Sequence, residues 1–190
     1  MHQVSPVTVP HVHQLHPIRA ALWRVRQFLH ALTAKSDRRV DAELRELLGI
    51  DAQWRLLQRL TPFDRAHHLR VHELLVRNGQ CDPDLLRAAL LHDVGKADER
   101  GRAHIGHRTL KVLLRVLGSV WLERIATTTG RGPRHGLYLA LHHAELGARL
   151  VRETGASERC CELIARHEQR SRRDDELLMA LIAADEGAIR

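Results

Sequence analysis

Aromatic residues are scarce in this chain of 190 residues: three tryptophans, one tyrosine and two phenylalanines, or 3%. Few stacking platforms are therefore available, which argues against a dedicated binder of single-stranded nucleic acid. Cysteine is equally sparse. Cys81, Cys160 and Cys161 are three in number, two of them adjacent, and form neither a disulfide framework nor a CxxC metal pattern. No apolar run approaches the roughly 20 residues that a membrane span needs, and "MHQVSPVTVPHVHQLHP" lacks the apolar centre of a signal peptide. These absences together predict a cytoplasmic protein without a membrane partner. Lysine is rare too, at Lys35, Lys96 and Lys111 only, so arginine carries most of the basic charge.

What is present is a 44% hydrophobic chain with a formal charge of +7 and fifteen histidines. That composition suits a globular protein, and the length suits one domain with a short appendage. The positive balance fits a phosphate-bearing partner, nucleic acid included, and equally fits ordinary arginine-rich helix surfaces.

Almost every periodic stretch is helical. Residues 1–16 read as an irregular arm, with His2, His11, His13 and His16 in it. "PIRAALWRVRQFLHALTA" then places Ile18, Leu22, Val25 and Leu29 at helical spacing behind Pro17. Two short helices follow, the second expected to be capped by Asp51. After "TPFD" come a helix ending at Gly79 and another starting at Asp82-Pro83. "GHRTLKVLLRVLGSVWLERIA" is helical as well, and "TTTGRGPRHG" reads as a loop. Three further helices complete the chain, and no strand is expected. The fold class is all-α, with residues 1–60 as an arm and helical extension and 61–190 as the main bundle.

Several histidines and acidic residues fall on faces that ought to be buried. "HHLRVHELL" sets His67 one turn before Val71, but His68 and His72 form a second i, i+4 pair, so periodicity does not say which is inward. "LLHDVGKA" ends an apolar helix in His92-Asp93, two groups costly to bury without partners, with Lys96 three residues on. "LHHAELGA" offers His142 and His143, the latter one turn before Gly147, where helices can approach closely. "LIARHEQ" presents His167 and "LIAADEG" Asp185. Polar sites in helical bundles are built in this way, one inward residue from each facing helix.

The ordered set "AHHLRV", "LLHDVGKA", "HHAELGA", "ARHE" and "AADE" resembles the HD superfamily of metal-dependent phosphohydrolases, over about residues 61–187. The resemblance implies an HD-domain helical bundle with His67, His92, Asp93 and Asp185 as the basic metal set. It favours His67 over His68 and His143 over His142, and matches His143 and His167 to the extra histidines of dinuclear members. The chain lacks the GYP motif of the HD-GYP branch and has His167-Glu168 where that branch tends to carry a histidine pair.

Four histidines and two aspartates are too many for one tetrahedral ion and suit two divalent transition ions, iron or manganese, with Asp93 as the bridge. The implied reaction is hydrolysis of a phosphoester or phosphoanhydride bond, in a nucleotide-type substrate, by metal-activated water. Asp93 and Lys96 are then the expected catalytic pair, with Lys96, Arg70 and Arg170 as phosphate contacts. Arg131 and Arg134 flank the glycines of "TGRGPRHG", which reads more simply as a connecting loop because it lacks the lysine and hydroxyl of a P-loop. The competing expectation is a non-catalytic HD module that binds nucleotide and metal for regulation or partner interaction.

Overall fold

The computed structural model describes residues 37–103, 132–169 and 174–188. The arm, the helix expected from Pro17, the helix expected over 106–126, Arg131 and Arg170 lie outside the described residues. All described residues belong to one compact unit, Ala34–Arg190. Thr61 and Pro62, where the sequence places a boundary, fall within that unit.

Seven α-helices and one short 3₁₀ turn make up the described part. They are α1 (Arg38–Leu48), α2 (Asp51–Gln58), α3 (Pro62–Arg77), α4 (Pro83–Leu91), the turn Val94–Lys96, α5 (Pro133–Glu153), α6 (Glu158–Arg166) and α7 (Glu176–Ala188). No strand occurs among the described residues, only an isolated bridge between Ala97 and Arg102. The all-α expectation is met. No helix among the described residues is long and apolar enough to cross a membrane.

Local chemistry sets the helix ends. Asp37 caps α1 by accepting from Arg39 N at 2.9 Å, and Gly49 closes it at φ 63°, a left-handed conformation that favours glycine. Thr61 caps α3 and Asp82 caps α4, each followed by proline in the first turn. Ser157 caps α6 through Cys160 N. Asp51 departs from its expected role. It is the first residue of α2, behind Ile50, which makes no side-chain cap, and its carboxylate receives Arg45 instead at 3.2 Å. The "TTTGRGPRHG" loop is also shorter than the sequence suggests, because Pro133 starts α5 and the last four residues of that stretch are helical.

With so few aromatics, the core is aliphatic. Among the described residues the largest fully buried side chains are all leucine or isoleucine, including Leu44, Leu57, Leu75, Leu91, Ile164 and Leu181. Each contributes about 1.5–3 kcal/mol by leaving water. Leu44 of α1 and Leu57 of α2 share this core with α3, α4, α6 and α7. Two buried polar links reinforce the join. Arg65 of α3 reaches Asp41 of α1 at 2.7 Å and Leu60 O at 2.8 Å. Gln53 of α2 donates to Thr154 Oγ1 at 3.1 Å and accepts from Arg87 of α4 at 2.6 Å.

Two packings position the site. α7 lies against α3, and α5 lies against both α6 and the 3₁₀ turn. At the second contact a methyl group on Gly147 would stand 3.2 Å from Gly95 N and 3.5 Å from Ile164 Cγ2. The absence of a side chain at Gly95, where a methyl group would stand 2.5 Å from Gly147 N, lets the turn carrying Asp93 sit directly on the backbone of α5.

Candidate metal centre

Five chain segments converge on one buried point. α3 brings His67, the end of α4 brings His92 and Asp93, α5 brings His143, the end of α6 brings His167, and α7 brings Asp185. His67, His92, Asp93, His143 and His167 are all at most 5% exposed. Two groups emerge whose ligand-capable atoms all lie within 4.8 Å of one another: His67, His92 and Asp93, and Asp93, His143 and His167. Asp93 belongs to both.

Asp93 divides its oxygens between them. Oδ2 stands 3.4 Å from His92 Nε2, and Oδ1 stands 3.3 Å from His143 Nε2 and 3.6 Å from His167 Nε2. Beside the first group, Asp185 Oδ1 lies 2.8 Å from His67 Nε2 and 3.6 Å from His92 Nε2. Donors bound to one ion at about 2.0–2.2 Å stand about 3–3.7 Å apart. The spacings among these atoms are of that size, except between His67 and Asp185, which are hydrogen-bonded at 2.8 Å.

The ring orientations have a local cause. His92 and His167 are the C-terminal caps of α4 and α6, where the last carbonyls have no helical partner. Each ring turns back to donate from Nδ1 to the carbonyl three residues earlier, Ala89 O at 2.9 Å and Ile164 O at 2.7 Å. His143 does the same to Ala140 O at 3.1 Å. A carbonyl only accepts, so Nδ1 carries the hydrogen in all three rings and Nε2 is the atom presented to the cluster. His92 Nε2 is fully buried and makes no hydrogen bond. A buried nitrogen without a hydrogen bond is costly unless a charge or an ion compensates it, and the carboxylates of Asp93 and Asp185 stand 3.4 and 3.6 Å from this one.

The electrostatics point the same way. Burial lowers the basicity of His67, and burial pushes His143 down to about 4. Both are therefore neutral imidazoles, the form that binds metal. Burial would also lower His92, but the Asp93 and Asp185 carboxylates outweigh it and lift that ring to about 10. Burial would raise Asp93, yet Lys96 first and His92 next hold its carboxyl well below the usual range. Asp185 is held low in the same manner by His67 and His92, against its own burial. Without metal, the His92 proton thus serves as the positive charge in the first group. Nitrogen and oxygen donors in this mixture, with no thiolate, suit a divalent transition ion.

His67 and not His68 faces the donor cluster. His68 is fully buried, donates from Nδ1 to Leu90 O at 2.7 Å and packs its ring 4.5 Å from that of His92. His142 is half-buried, with its ring 4.6 Å from Tyr138. Lys96 is 3% exposed, and its Nζ pairs with Asp93 Oδ2 across the 3₁₀ turn. Arg70 has its Nε on Ala188 O at 3.3 Å and its guanidinium 5.9 Å from the Phe63 ring centre. Arg134 is exposed at the start of α5.

The sequence marks Glu168 only as the neighbour of His167, not as a candidate ligand. Its Oε1 lies 3.8 Å from His143 Nε2. No protein-family model, no curated protein and no solved structure matches this chain.

Proposed function

We propose that the chain is a metal-dependent phosphohydrolase of the HD type, holding two divalent ions, iron or manganese, and cleaving a phosphoester or phosphoanhydride bond in a nucleotide-type substrate. One observation carries the reading: Asp93 Oδ1 faces His143 and His167 while Oδ2 faces His92. A carboxylate so placed is a bridge, with His67, His92 and Asp185 holding one ion and His143 and His167 the other. The order of these residues along the chain, and the +7 charge that favours anionic substrates, add support.

Metal held by these residues would supply a more acidic bound water and positive charge for the oxygens of a phosphate. The protein's part is to fix the donors. The carbonyls behind His92, His143 and His167 set each ring's tautomer, and Lys96 holds Asp93 Oδ2 in line. Lys96 is buried on that carboxylate, so it acts through Asp93 as a positioning residue. Solvent reaches the cluster beside Asp185, whose side chain is 22% exposed, and beside Glu168, at 39%. Those two carboxylates mark where a phosphate would approach.

The test is metal analysis of purified protein, followed by release of phosphate or nucleotide from a panel of monoesters, diesters and dinucleoside polyphosphates. The reading expects about two ions per chain and turnover that Asp93→Ala abolishes. Absence of metal, with turnover unchanged in Asp93→Ala, contradicts it. Metal-loaded protein that binds nucleotide without cleaving it would instead make this a binding module.

A further inference from the structure

The two halves of the centre are unequal in charge. The first half has two histidines, the shared Asp93 and a carboxylate of its own, Asp185. Among the described residues the second has two histidines and the shared Asp93. An ion there would be held by one shared negative charge.

Glu168 stands where the missing carboxylate is needed. It follows His167 in the turn that ends α6, and its Oε1 lies 3.8 Å from His143 Nε2, close to the spacing of two donors on one ion. Its side chain is 39% exposed, against 22% for Asp185, so both carboxylates sit at the solvent edge of their half. Glu168 lies just outside the tight group of Asp93, His143 and His167.

We infer that Glu168 is a ligand of the second ion, the counterpart of Asp185 in the first half. Each ion then has two imidazoles, one carboxylate of its own and a share of Asp93. The more exposed Glu168 makes the second ion the more readily exchanged of the two. This inference rests on the two-ion reading above.

The test is equilibrium dialysis of the full chain against Mn²⁺, with metal analysis, for wild type, Glu168→Gln and Asp185→Asn. Wild type is expected to take up two ions. Glu168→Gln should weaken the second ion at least tenfold and leave the first within twofold, with an unchanged melting temperature in chelator because the side chain lies at the surface. Asp185→Asn should weaken the other, tighter ion. Two ions bound by Glu168→Gln with wild-type affinities overturn the role of Glu168 alone. Fewer than two ions in the wild type overturn the two-ion reading and Glu168 with it.

Discussion

Gly95 rests on the backbone of His143. A methyl group at Gly95 would collide with the His143 carbonyl oxygen and stand 2.5 Å from Gly147 N. The obstacle is helical backbone, which has no rotamer to change, so the turn carrying Asp93 and the helix carrying His143 are held in register by the lack of one side chain.

Gly95→Ala therefore should cost about 3 kcal/mol or more, the upper range for overpacking, as the turn is driven off α5. Gly147→Ala meets its neighbours at 3.2 Å and beyond, and gains about 1 kcal/mol in helix propensity. It should change stability by less than about 1 kcal/mol. Denaturant unfolding of the two variants checks the order, and equal losses would contradict this packing.

Lys96 and Asp93 form a buried pair. Lys96→Met leaves a buried carboxylate with less compensation, at a cost of about 3 kcal/mol in metal-free protein. For a chain of this size that is a fall of about 10 °C in Tm. Metal bound at Asp93 would replace the lost charge, so saturating Mn²⁺ should narrow the gap between variant and wild type. Melting curves with chelator and with metal would show it; a gap that stays the same in both contradicts a metal at Asp93.

The ligand halves predict separable losses. His67→Ala should remove the first ion and His143→Ala the second, while Asp93→Ala weakens both. Each ion present at a hundred times its Kd adds about 2.7 kcal/mol of stability. Metal-induced shifts in Tm should therefore be about half the wild-type shift in each histidine variant. A variant of either histidine that keeps the full shift would place that residue outside the centre.

Away from the centre, Arg159 of α6 binds Asp175, just before α7, at 2.6 Å. That guanidinium, against slight burial, holds the Asp175 carboxyl below its ordinary value. A carboxylate whose folded pKa is depressed adds stability above its unfolded pKa of about 3.9 and loses it as pH falls through the folded value. Arg159→Ala should thus cost about 1 kcal/mol near pH 6 and progressively less below pH 4. Stability of both proteins across pH 3–7 checks the sign, and a difference that grows toward acid would contradict it.

Much of this was legible in the sequence, and the exceptions have physical reasons. Apolar periodicity exposes α3 and α5 but not the inward histidine of each pair. His67 and His68 are both buried, and only the packing of α7, which brings Asp185 to His67, distinguishes their roles. Lys96 was expected to extend toward a phosphate. The 3₁₀ turn instead folds it back three residues onto Asp93, a local geometry that no side-chain pattern announces. Asp51 has the right residue type for a cap but lies one position inside its helix. Glu168 reads as a surface residue, and only the convergence of α5 with the end of α6 puts it near His143.

The central claim is that Asp93 lies between two ions. Anomalous difference density from a crystal grown with Mn²⁺ tests it most directly. Two peaks about 3.5–4 Å apart are predicted, one among His67, His92 and Asp185 and the other between His143 and His167, with one Asp93 oxygen on each. A single peak, or none near His143 and His167, would contradict the account.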